Sequence, residues 1–310
     1  MASLNGINKH RSEVAVIGLG YVGLPLAVSV AEAGFRTYGV DLDDEFVEEL
    51  EAPNRSLNGI PSSKLEELRG EGGLSFSTEY GVVANSDIVI ISVPTPLDQY
   101  REPDMEYVRE SLREISPHLN RGDLVIVEST LYPRATEDEL GPRLEDLTGL
   151  SPGEDLYLVF SPERIDPGNK DYALTDVPKV VGAMSEKGGR LAEKFYRSVL
   201  DSDVHKVSSP RVAEMEKLLE NIYRNVNIAL VNEMGEISQK MDIDIWETIE
   251  AASTKPYGFK PFYPGPGVGG HCIPVDPFFV SWKAKEKDTG ARFIELAGQI
   301  NRSRPDYVVR

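Results

Sequence analysis

The chain has 310 residues, 40% of them hydrophobic and 27% charged, with 27 Gly and 21 Pro. That is enough for about two domains with their own cores, and it excludes a peptide or a disulfide scaffold. Its 51 acidic against 33 basic residues leave a formal charge of -18, the wrong sign for a surface that attracts phosphate backbones, so no nucleic-acid partner is expected. A single cysteine permits neither an internal disulfide nor a multi-cysteine metal site, and it suits a reducing cytoplasm.

At the N-terminus, Lys9 and Arg11 followed by the apolar run from Val14 to Ala31 imitate a secretory leader. The run is broken by Gly18, Gly20, Gly23 and Pro25 and leads into a strand ending at Asp41, so it reads as part of the fold. No other stretch approaches the roughly 20 apolar residues of a membrane span. Short β-branched runs predict strands at 13–17, 36–41, 87–93, 123–128, 155–160, 179–182 and 204–207, with amphipathic helices between them, for example 105–119 and 191–200. This alternation is the mark of βαβ units, hence an α/β, Rossmann-type, doubly wound and mostly parallel sheet.

After Val207 the texture changes. Ser208, Ser209 and Pro210 open a helical pattern that persists to about Met241, a rod about 50 Å long at 1.5 Å per residue. Its apolar positions cover more than one face, which predicts packing against a second copy of the chain. Further helix is expected at 243–253, 276–288 and 290–303, around a Pro/Gly-rich loop at 255–275. The expected organisation is a sheet domain at 1–207, an all-helical domain at 208–300, and a stub at 301–310.

Four constellations carry chemistry. Gly18-Leu19-Gly20-Tyr21-Val22-Gly23 directly follows the first strand and opens a helix, and Asp41 ends the next strand. The glycines allow a tight turn, close approach of a pyrophosphate to backbone N–H groups, and close helix–strand contact. Asp41 is placed to accept bonds from adenosine ribose hydroxyls and to repel a 2′-phosphate, so the expected cofactor is NAD, not NADP. Val93-Pro94-Thr95-Pro96 and Glu128-Ser129-Thr130 end strands of the same sheet, and their hydroxyls are expected to face the nicotinamide half.

The second constellation is Lys217, Asn221 and Arg224, one polar stripe at i, i+4, i+7 on the long helix. It is either a solvated face, with Glu214 and Glu220 nearby, or a Lys–Asn pair that polarises a hydroxyl and steadies an oxyanion. The third is the glycine-dense loop from Pro264 to Asp276, which holds His271 and Cys272. Its setting before a helix favours Cys272 as a placed nucleophile over an inert buried thiol. His271 has no ligand-spaced His or Cys companion, so no metal is expected. The fourth is Ser161-Pro162-Glu163-Arg164 at the carboxyl end of a strand, where open α/β sheets bind ligands.

Taken in order, G-L-G-Y-V-G, Asp41, V-P-T-P, E-S-T, S-P-E-R, K-L-L-E-N and G-G-H-C-I-P-V-D resemble the family of nucleotide-sugar dehydrogenases that includes UDP-glucose and GDP-mannose dehydrogenases. The segments S-P-E-R, N-x-x-R and Y-P-G-P-G-V-G-G-H-C-I-P-V-D-P-F-F resemble the branch acting on UDP-N-acetylhexosamines. The resemblance implies a four-electron oxidation of the sugar's primary alcohol to an acid with two NAD in turn. UDP-N-acetylglucosamine is the expected substrate, with UDP-N-acetylmannosamine or UDP-glucose as alternatives. It assigns the alcohol proton and developing oxyanion to Lys217, Asn221 and Asp276, thiohemiacetal and thioester formation to Cys272, and the hydrolytic water to Glu163 and Thr130. It also assigns sugar-nucleotide contacts to Glu163, Arg164, Lys217, Asn221, Arg224, Tyr263 and Gly269, and a homodimer to the central helices. Members carry a third, UDP-gripping domain beginning where this chain stops, so a truncated and inactive chain is an expectation too. A one-step hydroxyacid dehydrogenase shares the Rossmann domain and the Lys-x-x-x-Asn pair but has no use for Cys272. A dimeric NAD-binding module without turnover is the non-enzymatic alternative.

Overall fold

The structure, a computed structural model, describes residues 2–52, 57, 59–165, 171–270 and 273–310. The chain forms two compact units, Met1–Thr95 with Asp104–Lys217, and Pro96–Pro103 with Leu218–Arg310.

The first unit runs α1 (Leu4–Asn8), β1 (Glu13–Ile17), α2 (Gly23–Glu32), β2 (Arg36–Val40), α3 (Asp44–Glu51), α4 (Ser62–Gly70), β3 (Leu74–Ser77), β4 (Ile88–Ile91), α5 (Glu106–Ile115), β5 (Leu124–Val127), α6 (Gly141–Thr148), β6 (Tyr157–Phe160), α7 (Glu186–Val199), with β7 (Lys179–Ala183) before α7 and β8 (Val204–Lys206) after it. The eight strands form one sheet in the order β3-β2-β1-β4-β5-β6-β7-β8. All neighbours pair in parallel except β6 and β7. Strand order therefore reverses at β1, and β1, β4, β5 and β6 point their carboxyl ends to one edge, where doubly wound sheets bind ligands.

The strands follow from composition. Every residue of β4, β5 and β6 is buried, so these central strands read as unbroken apolar runs. In the edge strand β3, Leu-Ser-Phe-Ser, only Leu74 is buried, too faint a pattern to be predicted. Helices α3 and α7 begin at side-chain caps, Asp43 accepting from the Phe46 N–H and Ser185 from the Gly188 N–H. Phe35, Phe160 and Phe195 are fully buried, each contributing about 1.5–3 kcal/mol, and Phe35 meets Phe195 edge-on at 5.5 Å between ring centroids.

α8 (Pro210–Lys240) spans 31 residues, about 46 Å at 1.5 Å per residue. The division of the chain falls inside it, between Lys217 and Leu218, ten residues past the change in sequence texture at 207. The second unit adds α9 (Ile245–Ser253), α10 (Asp276–Lys285) and α11 (Arg292–Val309). Asn301 donates to the Asn225 carbonyl and to its Oδ1 at 3.0 and 2.8 Å. Asn232 accepts from the Gly265 N–H at 2.9 Å, while Arg304 donates to the Gly265 carbonyl at 3.0 Å and pairs with Glu236 at 2.8 Å. These buried amides bolt the start of the glycine-dense loop to α8 and α11. α11 runs on through the last residues to Val309, with Asn301 and Arg304 both buried. Among the described residues no helix is long and apolar enough to cross a membrane.

Candidate functional site

The three glycines after β1 are needed for different reasons. Gly18 has φ +86°, and a Cβ there would lie 2.7 Å from the Ser92 carbonyl oxygen. A Cβ on Gly23 would lie 1.8 Å from the Gly18 carbonyl oxygen, so α2 can start against β1 only without a side chain. No described residue lies within 4 Å of a Cβ on Gly20, so the described residues give no reason for glycine there, whereas a pyrophosphate approaching the N-terminus of α2 does. Tyr21 is exposed and Val22 half-buried beside it. The Asp41 carboxylate accepts the Leu19 N–H at 2.8 Å and the Asp43 N–H at 3.2 Å. It thereby ties the loop to the end of β2 while keeping acceptor capacity for ribose hydroxyls. These residues fit NAD.

Two substitutions separate these roles. Gly23→Ala is expected to lower stability by about 1–3 kcal/mol through backbone overlap. Gly20→Ala should leave the urea midpoint unchanged yet weaken NAD binding about tenfold, near 1.4 kcal/mol. Unfolding curves and calorimetric titration with NAD check both.

Next along the same edge come the ends of β4 and β5. Pro94 is exposed and Thr95 half-buried. Ser129 is buried and its hydroxyl donates to the Val93 carbonyl at 2.7 Å, bracing the two strand ends. Thr130 is half-buried.

Past β6, Glu163 is 8% exposed. One of its oxygens accepts the N–H groups of Arg164 and Ile165 at 2.8 and 2.7 Å, and the other accepts from Lys179 Nζ at 2.8 Å. Burial pushes this carboxyl up, but Lys179 and the two N–H donors outweigh it and hold the group below the usual range. The Arg164 guanidinium donates to the Pro178 carbonyl at 2.7 Å and lies 3.3 Å from Glu216.

On α8 the two readings of the polar stripe separate. Glu214 is fully buried and clamps the segment after Thr130. It accepts from the Arg134 N–H at 2.5 Å, the Thr136 N–H at 2.8 Å and the Thr136 hydroxyl at 2.6 Å. Lys217 and Asn221 are also buried, at 8% and 7% exposure, so this is not a solvated face. Lys217 makes no hydrogen bond or ion pair to any described residue. In the second unit, Asn221 Nδ2 donates to Asp276 Oδ2 at 2.6 Å, with Asp276 itself 2% exposed at the start of α10. Arg224 is half-buried. Tyr263 stacks on Trp246 with centroids 5.7 Å apart, and a Cβ on Gly269 would meet no described residue within 4 Å. His271 and Cys272 lie outside the described residues.

Sequence reasoning gave no role to Glu128, Lys179 or Tyr196, and named Glu214 only as a neighbour in the solvated-face reading of the stripe. A signal existed for two of them. Lys179 opens a strand that is otherwise Val-Val-Gly, and Glu128 closes an apolar one, so both put charge at a buried boundary.

The NAD binding domain of the UDP-glucose/GDP-mannose dehydrogenase family matches residues 12–200, and the family's central domain matches 211–303. The chain belongs to the UDP-glucose/GDP-mannose dehydrogenase family. A UDP-N-acetyl-D-glucosamine 6-dehydrogenase of Pseudomonas aeruginosa is 38% identical over 298 residues, 96% of this chain and 69% of that protein. The solved structure of a UDP-D-ManNAc dehydrogenase from Pyrococcus horikoshii superimposes with a TM-score of 0.89 at 36% identity, over 96% of this chain and 70% of that one. A UDP-glucose dehydrogenase from Pyrobaculum islandicum gives 0.84 at 26% identity, over 96% and 69%. The glycine loop and Asp41 thus lie in the family's NAD-binding domain.

Proposed function

We propose that the chain oxidises the C6 primary alcohol of a UDP-N-acetylhexosamine, UDP-N-acetylglucosamine first among them, to the uronic acid with NAD. The observation that carries this reading is the burial of Lys217 and Asn221 on α8, with Asn221 locked to buried Asp276. Burying a lysine and an amide is costly, and a site for a sugar hydroxyl gives the reason.

Asp276 fixes the Asn221 amide by taking one of its N–H bonds, and the other stays available to an oxygen of the substrate. Lys217 faces no described acceptor, so its Nζ is the group assigned to hold and move the alcohol proton. Bound NAD supplies hydride acceptance in both oxidations. Cys272 is assigned to add to the aldehyde carbon. Its sulfur forms a C–S bond as the thiol proton passes to the carbonyl oxygen; the second hydride then leaves the tetrahedral carbon for NAD, the hydroxyl proton is released to solvent, and a thioester results. Water then cleaves the C–S bond, giving the acid and restoring the thiol. Glu163 and Thr130 are assigned to that water, and Arg164, Arg224, Tyr263 and Gly269 to the sugar nucleotide.

The exposed stripe of Met215, Leu219, Tyr223, Leu230, Met234 and Ile237 on α8 supports a homodimer through the central helices. The single cysteine suits a cytoplasmic setting.

The deciding experiment presents UDP-N-acetylglucosamine, UDP-N-acetylmannosamine and UDP-glucose with NAD. The expected result is about two NADH per N-acetylhexosamine oxidised. Strong preference for UDP-glucose overturns the sugar assignment, and no turnover of any of the three leaves a non-catalytic NAD-binding module.

A further inference from the structure

Behind Glu163 lies a buried cluster that the chemistry above does not use. Lys179 Nζ sits between two carboxylates, 2.8 Å from Glu163 and 3.0 Å from Glu128. The side chains of Glu163, Lys179 and Glu128 are 10%, 5% and 0% exposed, so the three charges run inward from the ligand edge of the sheet. Tyr196 on α7 donates its hydroxyl to Glu128, and its ring lies 5.2 Å from the Lys179 ammonium. The other Glu128 oxygen, Oε2, is buried with no hydrogen-bond partner among the described residues.

Topology explains the placement. β7 is antiparallel to β6, with Phe160 opposite Gly182, so the first residue of β7 falls beyond the carboxyl end of β6, level with Glu163. Had β7 run parallel, Lys179 would start at the far edge of the sheet.

Two acids and one lysine, nearly dry and with one oxygen unsatisfied, are a poor way to stabilise a core, because apolar residues of like volume do as well or better. Such an arrangement marks a place where ionisation is being set.

We propose that Lys179 is the positioning residue for Glu163. Held from behind by Glu128, it keeps the outer carboxylate ionised and oriented so that it can take a proton from the water that cleaves the thioester. The inference rests on the hydrolytic half-reaction proposed above. The charged and titratable groups facing Glu163 support it: Lys179 from β7, Glu128 from β5 and Tyr196 from α7. Arg164 is turned toward Pro178 and Glu216. Burial drives the carboxyls of both Glu163 and Glu128 up; Lys179 reverses this for Glu163 but not for Glu128, which Glu163 also repels. The pair is thus split, with the outer carboxylate held ionised and the inner one shifted toward its protonated form.

The test compares Lys179→Met, Lys179→Arg and wild type in two independent measurements. The first follows Glu163 in the ligand-free protein by carbon-detected NMR of 13C-glutamate label, assigned with Glu163→Gln. The methionine variant is expected to titrate higher by about one pH unit or more, and arginine to restore the wild-type value. The second is turnover. Steady-state rate should fall about 100-fold in Lys179→Met while the initial NADH burst survives. The acyl thioester should then accumulate as a mass adduct on the intact protein, and the acid limb of the rate profile should move to higher pH. If the methionine variant does not fold, Lys179→Gln removes the charge while keeping a hydrogen-bond donor. An unmoved Glu163 titration, or equal slowing of burst and steady state, overturns the inference. Absence of turnover in wild type sinks the functional reading instead, and the titration still decides whether Lys179 governs Glu163.

Discussion

Replacing Cys272 by alanine is expected to abolish acid formation, lowering the steady-state rate by at least about 10⁴-fold, near 5.4 kcal/mol of barrier. The size follows from the chemistry. An aldehyde carbon carries its one hydrogen on a trigonal centre and cannot release hydride until a nucleophile makes it tetrahedral. Alanine leaves the first oxidation possible, so rapid mixing should still show one NADH per sugar in a single turnover. Product analysis should find aldehyde and no uronic acid. Two NADH per sugar from the alanine variant would remove the thiol from the mechanism.

Lys217→Met should separate activity from stability. Lys217 is 8% exposed and meets no described acceptor, so burying it costs free energy that a methionine of similar length does not incur. Stability is expected to rise by about 1 kcal/mol, read as a higher urea midpoint at unchanged slope. The rate of the first hydride transfer should fall by about 10²–10⁴-fold through loss of proton handling. A group retained at the expense of stability is the signature of a working residue. A lower midpoint in step with lower activity would make Lys217 a structural lysine.

Much of the sheet was legible because its central strands are dry on both faces. Ile88–Ile91, Leu124–Val127 and Tyr157–Phe160 announce themselves as apolar runs, and G-L-G-Y-V-G between a strand and a helix needs no partner to be recognised. The edge strand Leu74–Ser77 was not legible: its outer side is unpaired, so selection for apolar residues is weak there. Nor could spacing decide whether Lys217 and Asn221 faced water. A helical stripe at i, i+4, i+7 looks the same on either side of a rod, and burial is a property of what packs against it.

Local rules therefore sufficed for the strand-turn-helix that opens the chain, for the acid at Asp41, and for the long helix after Ser209, since each is specified by contacts within a few residues or by a periodic pattern. The Glu163–Lys179–Glu128 cluster and the Asn221–Asp276 bond join residues 16 to 55 positions apart in sequence. The cluster depends on strand order and on the reversed direction of β7, and the Asn221–Asp276 bond on how α10 meets α8. Those are outcomes of global packing, in which the sheet buries the most apolar surface, and no short window of sequence contains them.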